Sequence, residues 1–178
     1  MFSYKPEGWL IDTAENKANM KSLGALEECM LKNITLEAKA TLCDAQHNLI
    51  VDLGFIRGVI LRNEGALGIE DGSTKDIAVI ARVGKPVCFK ITGFTVNEYG
   101  KKTALLSRKK KKKECRENYI ASLSPGDVID AKVTHFETFG CFVDIGCGIP
   151  SLLPIDMISV SRISHPRDRF FIGQDIKV

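Results

Sequence analysis

One pattern written twice constrains this chain more than any other feature of it. Aligning Ala38-Lys39-Ala40-Thr41 with Ala131-Lys132-Val133-Thr134 brings Val51-Asp52-Leu53-Gly54 onto Val143-Asp144-Ile145-Gly146, with a loop one residue longer in the first copy. Further on, Gly84-Lys85 meets Gly173-Gln174. A repeat this detailed implies two tandem copies of one small fold, and the period-two alternation within each copy makes that fold mainly β. In the first copy the alternation predicts Leu36, Ala38, Ala40 and Leu42 facing in, with Glu37, Lys39 and Thr41 facing out. In the second, Cys141, Val143 and Ile145 form the apolar face. Phe142 and Asp144 then point the other way, opposite a polar row of Asp130, Lys132 and Thr134. A ring in that position is a poor core element and a good platform for a nucleic-acid base.

Gly126 to Gly146, GDVIDAKVTHFETFGCFVDIG, continues through GIPSLLPIDMIS to HPRDRFFIGQDIKV. This stretch resembles the S1 RNA-binding domain, whose fold is an OB-type barrel. The resemblance implies two tandem five-stranded OB-fold barrels and single-stranded RNA bound across the sheet face of the second. It assigns the stacking positions of the F-G-x-F element to Phe139 and Phe142. Many members carry a His on the third strand where this chain reads Ser151-Leu152-Leu153-Pro154-Ile155, so a weakened site is expected. Lys132, Thr134 and His135 on the same hairpin join the candidate RNA-binding residues. So do His165, Arg167 and Arg169 in the basic segment SVSRISHPRDRF, for which an ordinary surface loop is the plain alternative. In the first copy His47 falls at the position of Phe139 and Ile50 at that of Phe142, which makes it a degenerate copy suited to a structural or docking role.

The expected organisation is an N-terminal extension and helix over 1–33, a degenerate barrel over 34–107, a basic helical linker over 108–125 and an S1-type barrel over 126–178. The first copy should complete its fourth strand between Thr92 and Asn97 and make its fifth from Lys102 to Leu106. The second ends before the matching positions, so an incomplete barrel and a fragment of a longer protein are expected. The N-terminal helix should start with Asp12 as its cap and present Ala18, Leu23, Leu26, Cys29 and Met30 as one stripe. Trp9 should anchor the preceding segment on the domain surface. Cys115, Tyr119, Ile120 and Leu123 recur at helical spacing in the linker, with Lys110–Glu114 and Lys113–Glu117 as supporting pairs.

The formal charge of +3 is small but concentrated, since Arg108 to Lys113 are six consecutive basic residues. A solvated linker is the usual reading of such a run. Like charges repel, and cations at a helix start oppose the macrodipole, so the cost favours a use such as phosphate contact by Lys109, Lys110, Lys111 and Lys112. The six cysteines form no C-x-x-C pair, and His47, His135 and His165 complete no zinc spacing, so no metal and no cofactor are expected and the thiols read as free. No phosphate-binding loop, dinucleotide fingerprint or carboxylate cluster points to an enzyme. No stretch is apolar enough to span a membrane.

The KPEG start, Arg82 to Lys90 and the two repeats together look like the small S1-like proteins of Clostridia, commonly labelled ribosomal protein S1 homologues. That likeness implies a non-catalytic cytoplasmic protein of translation or RNA metabolism, binding single-stranded mRNA or rRNA, with the ribosome as a further candidate partner. A docking adaptor on the ribosome or another complex, and an accessory domain of a nuclease, are the competing classes.

Overall fold

The computed structural model describes residues 4–96 and 99–178. The expected strand end at Asn97 lies outside them. Five strands, β1 (Leu36–Cys43), β2 (Leu49–Asp52), β3 (Arg57–Ile60), β4 (Pro86–Val96) and β5 (Lys102–Ser107), close into a barrel in the order β1-β2-β3-β5-β4. Closure comes from the parallel pairing of β3 with β5, which removes the free edges an open sheet would present. Leu36, Leu49, Val51, Ile60, Val87, Phe89 and Leu106 fill the interior. Each such side chain contributes about 1.5–3 kcal/mol on burial.

The expected single N-terminal helix is two, α1 (Ala14–Asn19) and α2 (Leu23–Leu31), and Asp12 caps neither. Thr13 accepts from the Asn16 N–H and Ser22 from the Ala25 N–H, each at 3.2 Å, so the chain supplies two caps and restarts between them. Leu26 of α2 and Val79 of the short α3 (Ile77–Ile80) plug the barrel.

The second copy forms a four-stranded sheet in the order β8-β7-β6-β9, from β6 (Asp130–Glu137), β7 (Gly140–Asp144), β8 (Pro150–Pro154) and β9 (Asp175–Lys177). One closed barrel and one open sheet result, the second copy having been expected as a barrel incomplete at its C-terminus. Its core is small: Ala131, Val133, Cys141 and Val143, flanked by partly buried Ile145, Phe170 and Ile176.

Detail beyond strand order repeats. β1 slips its register between Ala40 and Leu42, and β6 does so between Val133 and His135. At each bulge a threonine hydroxyl donates to the facing carbonyl, Thr41 to Ile50 at 3.2 Å and Thr134 to Phe142 at 3.0 Å. Gly84 N–H donates to Ala40 O, and Gly173 N–H to Val133 O, both at 2.7 Å.

The bulge corrects one expectation. An extra residue at Thr41 reverses the alternation beyond it, so Leu42 is 55% exposed instead of facing in. Glu37, expected outside, is buried because Gly8, Leu10 and Ile11 donate backbone N–H groups to its carboxylate at 2.6–2.8 Å. Asp144, also expected outside, is buried too. It accepts from the N–H groups of Glu7, Gly146 and Gly148.

Those bonds belong to the junction between the two units. Residues 4–11 run between barrel and sheet, and Glu7 sits at the centre. Its Oε1 accepts from Arg108 Nη2 at 2.6 Å and from the Cys88 N–H at 3.1 Å, while Oε2 accepts from Arg82 Nη1 at 3.1 Å. Burial alone would raise its pKa. Arg108, Lys112 and Arg82 outweigh burial and bring it down to about 2. Trp9 anchors onto the second unit by donating to Asp175 at 2.7 Å, with the Lys5 ammonium 4.9 Å from its ring centre.

The linker forms the helix α4 (Arg108–Asn118), started by Ser107, whose hydroxyl accepts the Lys110 N–H at 2.8 Å. Of the expected pairs Lys113–Glu117 is present at 3.9 Å, whereas Glu114 is taken by Lys111 and Lys90 instead of Lys110. Buried Lys90 lies on the barrel strand facing the helix and needs a counter-charge, which explains the exchange. On the inner side of α4 three thiols from three elements meet, Cys88, Cys115 and Cys147, under the stacked rings of Tyr4 and Tyr119. All six cysteines are free.

Candidate nucleic-acid interface

The bulge in β6 builds the candidate site. Past Thr134 the register makes His135 the partner of Phe142, and Phe142 in turn the partner of Leu152 on β8. His135, Phe142 and Leu152 thus form a row across the outer face of the sheet, with the two rings stacked at a centroid distance of 6.4 Å. Phe142 is half-buried, because His135 covers one side of it, while Phe139 at the hairpin end is 54% exposed. Both rings keep part of their surface in solvent, and an exposed aromatic ring is a surface on which a base can stack.

Where many members of the family this chain resembles carry a His on the third strand, it has Leu152 and Pro154, and the geometry shows what they do. Pro154 pairs with Gly140 at the hairpin end of β7, and Leu152 lies directly beside Phe142. The imidazole of the row is therefore His135, from the first strand of the unit, with its Nε2 3.0 Å from Glu137. Lys132 lies on the same face but is engaged with Asp175 at 2.7 Å. Thr134 spends its hydroxyl proton on the bulge.

The basic loop has internal duties. His165 Nδ1 accepts the Arg167 N–H at 3.1 Å and caps the turn at Pro166–Asp168, and its ring meets Phe136 edge-on at 6.0 Å. Arg167 lies over the same Phe136 ring at 5.8 Å, and Arg169 is exposed.

The lysine run is no continuous solvated track. Arg108 is 1% exposed against Glu7, and Lys111 is 5% exposed with its ammonium 4.2 Å from the Tyr4 ring centre. Lys109 pairs with Glu70 at 2.5 Å, and Lys112 donates to Gly148 O at 2.7 Å. Lys110 and Lys113 are exposed. Sequence spacing could not reveal this, because the partners come from sequence-distant segments. A cation missed by the sequence reading, Arg116, lies one turn beyond Lys112 on the same helical face.

The barrel carries the equivalent row without rings. Leu42 pairs with Ile50 and Ile50 with Val59, three aliphatic residues where the second unit has His135, Phe142 and Leu152. His47 adopts a left-handed turn conformation with φ 62° and lies 3.3 Å from Asp76. Among the described residues, no group of three or more His, Cys, Asp or Glu side chains is placed to hold a metal ion, and no helix is long and apolar enough to cross a membrane.

An open OB-like sheet with this outer row defines a class, and comparison with known families agrees: residues 122–178 match the family model of the S1 RNA binding domain. Beyond that domain, the chain is homologous over most of its length to bacterial small ribosomal subunit protein bS1. The Staphylococcus aureus protein is 31% identical over 165 residues, covering 89% of this chain and 38% of its own. The Rhodopseudomonas palustris protein is 40% identical over 65 residues, covering 36% of this chain and 11% of its own. The chain thus spans well under half of the curated relatives it matches. Among solved structures, a multidomain protein with nucleic acid binding domains from Streptococcus pneumoniae is 14% identical with a TM-score of 0.29, covering 82% of this chain and 45% of that one.

Proposed function

We propose that this chain is a non-catalytic single-stranded RNA-binding protein, acting in the cytoplasm in translation or RNA metabolism. Its stacking site is the outer face of the second unit. The observation that carries the reading is the row His135, Phe142, Leu152 with Phe139 at its end, inside the segment that matches the S1 RNA binding domain. Phe139 and Phe142 stack bases, His135 backs the Phe142 ring, and Arg167 and Arg169 of the basic loop are proposed for the backbone. The domain boundaries that serve this role are those expected from the repeat, with residues 34–107 as the degenerate copy and 126–178 as the binding copy. Likeness to bS1 makes mRNA or rRNA the fitting ligand and the ribosome the fitting larger partner. The aliphatic row of the barrel supports a structural or docking role for the first unit.

Replacing Phe142 by Ala should weaken binding of single-stranded RNA by about 1–3 kcal/mol, the scale of one lost base stack, or roughly 5- to 150-fold. Half-burial of the ring makes a modest loss of stability part of the expected result. Fluorescence anisotropy with a labelled oligouridylate at fixed salt measures the first, and thermal unfolding the second. A large drop in melting temperature with unchanged affinity would make Phe142 a core residue and remove the site.

A further inference from the structure

Between the barrel and the second sheet lies a cleft of 730 Å³ that no part of the stacking row explains. Arg108, Lys112 and Arg116 occupy i, i+4 and i+8 of α4, share one face of it, and all line this cleft. Arg82 joins them from the segment after α3. Against these four cations the lining holds two carboxylates, Asp71 and Asp144, and Asp144 is already surrounded by backbone N–H groups. Arg108 and Arg82 share the single carboxylate of Glu7, Lys112 donates to the Gly148 carbonyl, and Arg116 is exposed. Burial, and next the charge of Arg108, hold the Lys112 ammonium down to about 8, as expected where positive charge is crowded and an incoming anion would relieve it. Thr134, which immediately precedes His135 on β6, is among its lining residues.

We propose that this cleft is a phosphate-binding groove through which an RNA strand passes on leaving the Phe142 face, with Lys112 and Arg116 meeting backbone phosphates. One strand would then be held by both units, the barrel contributing Arg82 and the loop around Gly68 as one wall. The proposal rests on the RNA-binding reading above and adds a path to it.

The test compares two oligouridylates, one of about 4 nucleotides that covers the stacking face alone and one of about 12 that reaches beyond it. In the double variant Lys112→Gln with Arg116→Gln, the longer oligonucleotide should bind about tenfold more weakly. Its dependence of log affinity on log salt should flatten by roughly one, because up to two fewer counterions are released. The shorter should be unaffected. A charge-matched control, Lys17→Gln with Lys21→Gln on the far N-terminal segment, should leave both unchanged. Should the double variant fold poorly, Arg116→Gln alone carries the test, since its side chain is exposed. Equal weakening of both oligonucleotides, an equal effect of the control, or no effect on the longer one would each overturn the path while leaving RNA binding intact. Failure of the unaltered protein to bind either oligonucleotide would instead overturn the RNA-binding reading, and the path with it.

Discussion

Replacing Glu7 by Ala should destabilise the protein by about 3–5 kcal/mol, the range for removing one partner of a buried ion pair. Arg108, 1% exposed, would keep its charge against the Gly65 carbonyl at 2.9 Å, and Arg82 and the Cys88 N–H would lose their Glu7 acceptor as well. Urea unfolding followed by Trp9 fluorescence measures the loss, because Trp9 sits at the same junction. A change below about 1 kcal/mol, the scale of an exposed pair, would show that the junction does not depend on this carboxylate. The same group sets the acid limb. Its folded pKa of about 2 lies below the ordinary 4.5, so its contribution is complete above 4.5 and is lost as pH falls from there towards 2. The amount is about 3 kcal/mol. Burial raises the pKa of Glu37 and Asp144, so their ionised forms are a cost at neutral pH that acid removes, and the net loss on acidification should be smaller than the share of Glu7 alone.

Gly140→Val should unfold the second sheet locally while sparing the barrel. A Cβ at Gly140 would lie 2.4 Å from the Leu153 carbonyl oxygen and 3.0 Å from the Pro154 Cα, both backbone atoms of the paired strand. Neither can swing aside, so β7 and β8 must separate, at a cost of about 3 kcal/mol or more, the upper end of ordinary overpacking. Phe142 and Leu152 sit on those two strands, and RNA affinity should fall with the pairing. Hydrogen exchange would read both halves at once, with faster exchange at the β7 and β8 amides and unchanged protection in β1 to β5. Retained protection across β7 and β8 would refute the expectation.

What could be read from the sequence was whatever is local and periodic. The repeat, the inward faces of Cys141 and Val143, the helix between the units and the absence of a paired cysteine framework all follow from spacing. The failures share a physical cause. Leu42 was misplaced because a bulge adds one residue and reverses the alternation, and nothing in Ala40-Thr41-Leu42 by itself announces it. Glu37 and Asp144 were placed outside because carboxylates usually are, while their donors are backbone N–H groups that leave no mark in a sequence. The surroundings of the basic run were the least legible. Its first and fourth members are interior, and their partners, Glu7 and Tyr4, stand about a hundred residues away. Phe139 and Phe142 could be singled out from the resemblance, but the place of His135 depends on the bulge at Thr134 and on which residue that bulge sets opposite Phe142.

Asp52 and Asp144 align in the two sequence copies, and each accepts the N–H two positions on, at 2.8 Å. Asp52 remains in solvent, whereas Asp144 has acquired Gly148 and the N-terminal segment. Where the second copy has Gly148 the first has Ile56, and a Cβ at Gly148 would stand 2.7 Å from a Glu7 carboxylate oxygen. One glycine therefore gives the two copies different addresses. The leading segment meets Asp144 of the later copy and leaves Asp52 of the earlier one in solvent, so the order of the two units along the chain is written into their three-dimensional arrangement.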